Sequence, residues 1–296
     1  MEARYIGLRA AIRSALASCV QSFPNPKKGK YEEPDYTAGI VTELPKVLTP
    51  CGVKWGLRFG GCFIHQSPRI SYQNDSGELK SCELGDLLII CHDSREDRLN
   101  AALLQLKMDE TYAPTIVPEE KQLYVYMNWP EIIWKKKQKS YCIIPKTVSQ
   151  GALYGVVHPL NNNGRVVGAK VKVASASREI PTNGQSFEDY LYDVIDFRAG
   201  RTFVEHSKVT GCDGWSMLIS DLCDHMETAV YNRANIRQVN SDRGVGGLFA
   251  FLRQRDVEEL QSIAKSELNN HSSSISEEDD EHGHLGVLYV ERGWGD

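Results

Sequence analysis

The sequence predicts an α/β (α+β) fold with a mixed sheet: an αβββαβ core followed by a C-terminal α/β extension. Three observations carry this expectation. Two N-terminal stretches repeat apolar residues at helical spacing. Short apolar runs bounded by turn residues then read as strands. A further helical stretch and strand follow before a more irregular alternation of both types. At 296 residues and 41% hydrophobic content, the chain can bury the core of one large or two modest domains. The composition suggests a helix and linker over 1–34, a core over 35–148 and an α/β region over 149–296.

Residues 5–21 place Ile6, Leu8, Ala11, Ile12, Ala15, Leu16 and Cys19 on one helical face, and Pro24 and Pro26 end the pattern. Residues 35–48 carry a second stripe, Ile40, Val41, Leu44, Val47 and Leu48. Asp35 or Thr37 is the expected cap, and Pro45 is expected to bend or end the helix. Residues 53–59 alternate as a strand, with Gly60-Gly61 as a bulge or turn. Residues 62–72 read as extended and interrupted at Pro68, before the turn Asn74-Asp75-Ser76-Gly77. These strands are expected to extend the core sheet. Residues 119–129 read as a helix and 141–144 as the strand after it. Beyond 150, strands are expected near 151–157 and 169–174 and helices near 187–195, 215–231 and 248–264. A polar acidic segment over 269–283 is expected to be disordered, and a closing strand over 285–291 to act as a tethered flap.

The most informative stretch is a hairpin. Residues 82–90 and 101–108 are apolar runs of ordinary strand length around a polar loop, 92–100. A turn centred near Arg95 or Glu96 sets Asp86 opposite Gln105 or a neighbour. Gln105 and Lys107 share a face by alternation, so the three converge; a slip of one residue would reverse Asp86. Asp, Gln and Lys in apolar strands are costly unless they bind something together. Asp86 offers a hard oxygen to Mg²⁺, the Gln105 amide and the Leu106 carbonyl offer two more, and Lys107 suits a water or phosphate oxygen. The alternative is a plain buried Asp86–Lys107 ion pair.

Asp86 with Gln105-Leu106-Lys107 resembles the PD-(D/E)xK nuclease superfamily, restriction-endonuclease-like, in its Gln-x-Lys variant. The resemblance covers residues 35–145. It implies an αβββαβ core whose second meander strand carries the metal-binding Asp and whose third carries the x-Lys step. It also implies an acid on the preceding helix, for which Glu43 is the choice, and places the metal with Asp86, Gln105, Leu106 and Glu43. Gln105 departs from the usual acid and removes one negative ligand. The implied activity is Mg²⁺- or Mn²⁺-dependent cleavage of DNA, double-stranded as for many relatives, by a homo-oligomer. Activation by a separate sensor or motor protein, in a bacterial restriction or anti-phage setting, is part of the same implication. The competing expectation is an inactive scaffold on that fold, binding nucleic acid or protein.

Net charge is −5, unlike the usual basic nucleic-acid-binding domain, but the charge is uneven. Arg58, Arg69 and the run Lys135-Lys136-Lys137 are the candidate DNA contacts, and 277–281 is acidic. His65 and Gln66 precede the hairpin and Gln122 opens the third helix, as lesser candidates. No run of 18 apolar residues and no secretory leader pattern is present, so a cytoplasmic protein without a membrane span is expected. The eight cysteines form no Cys-x-x-Cys and read as reduced core thiols; a zinc site from Cys62, His65, Cys91 and His92 has no supporting spacing. A P-loop is absent, and His206, Asp213 and Ser216 lack a nucleophile elbow.

Overall fold

The helical and strand periodicities are realised in a computed structural model, which describes residues 2–18, 31–64, 68–146, 151–162, 165–205, 213–233 and 284–293. Among the described residues the helices are α1 (Glu2–Ser18), α2 (Glu33–Gly52), α3 (Glu120–Asn128), α4 (Phe187–Ile195) and α5 (Gly214–Arg233). The strands are β1 (Leu57–Ile64), β2 (Arg69–Gln73), β3 (Leu79–Glu83), β4 (Leu87–Asp93), β5 (Arg98–Met108), β6 (Thr115–Ile116) and β7 (Ile132–Trp134). They continue as β8 (Lys139–Tyr141), β9 (Ala152–Asn162), β10 (Arg165–Ala174), β11 (Ile180–Pro181), β12 (Gln185–Ser186), β13 (Arg201–Phe203) and β14 (Leu285–Arg292).

Eight strands form one mixed sheet in the order β1-β14-β4-β5-β9-β10-β12, with β13 beside β5. Both faces are buried, so β4 and β5 are apolar at nearly every position rather than at every second one. One face packs on Leu8, Ile12, Val41, Leu44, Tyr190 and Leu191, from α1, α2 and α4. The other packs on Val125 and Tyr126 of α3, Trp129 just after it, Trp215, Leu218 and Leu222 of α5, and a small sheet ordered β3-β2-β7-β8. The main sheet thus joins strands from both sides of the 148/149 boundary.

Several expectations are corrected here. β14 is no flap: it lies inside the sheet, antiparallel to β1 and parallel to β4, so the expected three-strand meander is split. The strand parallel to β5 after α3 is β9, whereas Tyr141 belongs to β8 of the small sheet. β2 and β3 do not extend the main sheet but pair with β7 and each other. Residues 53–55 form a turn of 3-10 helix, and β1 runs through Gly60 and Gly61 unbroken. The predicted first hairpin strand is two strands of different sheets, β3 and β4, joined by Leu84-Gly85-Asp86. The segments 248–264 and 269–283 lie outside the described residues.

α2 also continues through Pro45 and Pro50. Pro45 has no N–H for the Val41 carbonyl four residues earlier. That carbonyl instead faces Gly61 of β1, where an added Cβ would sit 1.8 Å from the oxygen. The glycine therefore lets helix and strand approach backbone to backbone, and any side chain at Gly61 would push α2 off the sheet.

Candidate functional site

The hairpin register is Leu87↔Leu104 through Asp93↔Arg98, with the turn confined to residues 94–97. One step beyond Leu87, Asp86 stands opposite Gln105, and its N–H donates to the Leu104 carbonyl at 2.9 Å. Leu104 and Leu106 face the α2 side, so Gln105 and Lys107 share the other. β4 ends there, and the Asp86 side chain takes its place against β5. Asp86 Oδ2 accepts from the Leu106 N–H at 2.6 Å and from Gln105 Nε2. Gly85 permits this turn: an added Cβ would lie 2.8 Å from the Leu103 side chain and 2.9 Å from the Tyr126 hydroxyl, which itself donates to the Leu84 carbonyl.

Asp86 is fully buried and Gln105 nearly so. Burial drives the Asp86 carboxyl well above its ordinary range; Lys107 opposes the shift, while Glu33 and Glu83 reinforce it. Asp86 Oδ1 and Gln105 Oε1 are buried atoms with no hydrogen-bond partner among the described residues. Buried oxygens without a hydrogen bond are costly in a protein interior, and a hard cation would satisfy them. In this respect the residues present fit a divalent ion. Among the described residues, no three His, Cys, Asp or Glu side chains form a metal-binding group. Protein ligation here would therefore involve amide or hydroxyl oxygens, with water completing the shell.

The α2 acid near Lys107 is Glu33, not Glu43. Glu33 Oε2 lies 3.7 Å from Lys107 Nζ, and its Oε1 accepts from the Met108 N–H at 3.2 Å. Glu43 is ten residues on, about 15 Å further along the axis, and buried there. The helix begins two residues earlier than predicted because Pro34 fits the first turn, where no N–H is required. The signal was the acidic Glu32-Glu33-Pro34-Asp35 run, which suits a helix N-terminus.

Alternation along 82–90 as one strand would set Glu83 on the face opposite Asp86, but Glu83 ends β3 and Asp86 precedes β4, so the two do not share a strand. The Glu83 carboxyl is raised chiefly by burial, with Lys107 and Arg69 pulling it back and Glu33 and Glu119 adding to it. His284, just before β14, has no local signal at all. Its Nε2 lies 3.4 Å from Asp86 Oδ1 and 3.2 Å from Thr37 Oγ1, with the ring tilted against Phe63. Thr37 donates to the Glu33 carbonyl at 3.1 Å. A cavity of about 560 Å³ opens beside Glu33, lined by Tyr31, Glu32, Pro34, Met108, Asp109 and Glu110 among others.

The candidate DNA contacts divide. Arg69 is exposed and stands opposite Glu83. The Lys135–Lys137 turn follows β7, and continuing the β2–β7 register sets Lys135 opposite Arg69 at the same end of the small sheet. Arg58 pairs with Glu291, beside His92, so it lies six positions or about 20 Å along the sheet from Asp86. Gln122 is buried on α3; His65 and Gln66 lie outside the described residues.

Other arrangements are structural. Ser216 donates to Asp213 and accepts from the Val204 N–H at 3.0 Å, while Asp213 caps α5; His206 is outside the described residues. Cys62 and Cys91 are buried in different cores on opposite faces of the sheet, which rules out a shared zinc. Burial pushes the Cys62 thiol up to about 12. No described helix is long and apolar enough to cross a membrane. Compared with protein-family models, curated proteins and solved structures, the chain matches none.

Proposed function

We propose that this chain is a metal-dependent endonuclease acting on DNA, its site formed by Asp86, Gln105 and Lys107 with Glu33 from α2. The observation that carries the reading is that Asp86 and Gln105 each have a buried oxygen without a hydrogen bond, with Lys107 two residues beyond Gln105 on the same face. In support of it, α2, β1, β4, β5, α3 and β9 follow one another in the chain as helix, three strands, helix and strand, with other elements between them and β14 inserted between β1 and β4 in the sheet. Asp86 and Gln105 would hold Mg²⁺ or Mn²⁺, and the Leu106 carbonyl is the further donor that the resemblance implies. The ion would supply charge stabilisation at the phosphate and a more acidic water. Lys107, partly exposed beside Glu33, is suited to orient that water and to meet phosphate charge. Arg69 and Lys135–Lys137 would track the backbone along the rim, and Arg58 belongs to a different surface. Double-stranded DNA, a homo-oligomer and an activating partner protein remain parts of this reading.

A second reading has its own observation. Asp86 Oδ2 already has two donors, and Glu33 already engages Lys107 and the Met108 N–H, so much of the polar cluster satisfies itself. A non-catalytic scaffold would look the same. Plasmid incubated with Mg²⁺ or Mn²⁺ and the wild type, Asp86→Ala or Lys107→Ala separates the two. Nicking by the wild type alone supports the nuclease. Plasmid intact with all three, together with a mobility shift they share, supports the scaffold.

A further inference from the structure

We infer that His284 is a ligand of the cation at this site, and that the site therefore prefers a first-row transition ion such as Mn²⁺ to Mg²⁺ or Ca²⁺. The inference rests on the endonuclease reading only in locating the cation at Asp86. Its evidence is separate: an imidazole delivered by β14, outside the hairpin and outside α2.

His284 Nε2 stands 3.4 Å from Asp86 Oδ1 and 3.2 Å from Thr37 Oγ1. Two donors 3.4 Å apart, each about 2.1 Å from one ion, subtend roughly 100–110° at it, within the range of ordinary coordination. Asp86 Oδ1 is the carboxylate oxygen left without a hydrogen bond, while Oδ2 is held by Gln105 and Leu106. Gln105 Oε1, attached to the amide that grips Asp86, is the second unpaired oxygen. The backbone fixes the pairing, since the Gly286 N–H donates to the Asp86 carbonyl at 2.8 Å and locks β14 to this end of β4.

The local chemistry also defines the state without metal. The Thr37 hydroxyl gives its proton to the Glu33 carbonyl, so toward His284 it is an acceptor and Nε2 carries the hydrogen. Ligation requires the neutral ring with its Nε2 lone pair, so that hydrogen leaves Nε2 when the cation binds. Imidazole favours first-row transition ions over Mg²⁺ and Ca²⁺, which take oxygen almost exclusively, and Mn²⁺ is the one of them closest to Mg²⁺ in its taste for oxygen. The site would then combine one nitrogen with carboxylate, amide and water oxygens. It would assemble only once a strand from the far end of the described chain has entered the sheet.

Mn²⁺ bound to the full chain is read by electron spin echo envelope modulation, alongside calorimetric titration with Mn²⁺ and Mg²⁺. The expected result is modulation from a directly bound ¹⁴N that disappears in His284→Gln. Mn²⁺ should bind the wild type at least about tenfold more tightly than Mg²⁺, with the ratio shrinking in the variant. Circular dichroism of His284→Gln establishes that it folds, and the wild-type nitrogen signal stands without any variant. Mn²⁺ bound with no nitrogen coupling, or with coupling that survives His284→Gln, overturns the ligand assignment. If plasmid cleavage still depends on Asp86 in that event, the endonuclease reading is untouched. Absence of Mn²⁺ binding overturns the inference, and with plasmid left intact it overturns the endonuclease reading too.

Discussion

Two buried aspartates mark the two ends of one strand, and they are treated in opposite ways. Asp93, at the turn end of β4, receives the Arg95 and Glu96 N–H groups on Oδ1 at 3.1 and 3.4 Å. Its Oδ2 faces the guanidinium groups of Arg292 at 3.5 Å and Arg98 at 4.0 Å. Asp86, just before the other end, receives an amide and a backbone N–H on one oxygen and has no hydrogen bond on the second. The same residue type in the same sheet thus meets two guanidinium groups at one end and one imidazole, His284 Nε2 at 3.4 Å from Oδ1, at the other. A carboxylate that only closes a turn acquires arginines. One that is fully buried, with a histidine and no arginine against its second oxygen, is a candidate for some other use.

The largest expected effect breaks the comparison outright. Asp86→Ala should reduce metal-dependent plasmid nicking by about 100-fold or more, while Asp93→Ala leaves the rate per folded molecule within a factor of a few. Equal losses in the two variants would mean that both ends are structural. Next comes stability. Asp93→Ala removes the acceptor of two turn N–H groups and one of the carboxylates facing each arginine, which keep Asp196 and Glu96, and should cost about 2 kcal/mol in urea unfolding.

Asp86 carries the opposite sign. Its carboxyl titrates above the unfolded value because burial penalises the charged form, so metal-free stability is greatest below about pH 4 and falls as pH rises through the folded value. Asp86→Asn should remove that fall and gain on the order of 1 kcal/mol at neutral pH in chelator. A parallel pair of stability–pH curves would refute the assignment. The smallest effect concerns the helix acid. Glu33→Gln should shift stability by less than about 1 kcal/mol, as expected of a partly exposed pair with Lys107, yet lower nicking. Glu43→Gln is the matched control and should not alter nicking.

How far the sequence could be read followed the range of the interactions involved. The register of Asp86 against Gln105 and Lys107 was legible because a short turn and strict alternation determine it locally. α2, α3 and α4 were legible from their apolar stripes. Glu33 was nearly legible, lost only because the helix was begun at Asp35. Glu83 was lost by treating 82–90 as one strand, when Leu84-Gly85-Asp86 carries the chain from one sheet to another. His284 could not be found from any local pattern, since it lies 198 positions from Asp86 and only a long-range strand pairing unites them. The close seating of α2 on β1 at the Val41 carbonyl requires Gly61, again a partner from another element.

The placement of β14 also bears on how the chain comes into being. β1 and β4 are the strands that β14 joins, and both emerge from a ribosome long before residues 285–292. At translation speeds of about 5–20 residues per second, the interval between Asp93 and Arg292 is on the order of 10–40 s. Throughout it the nascent sheet has two open backbone edges facing a one-strand slot, the kind of surface that recruits other strands. Folding of the sheet is therefore completed late, and a chain interrupted before β14 would carry a hairpin with its polar cluster but a standing invitation to aggregate.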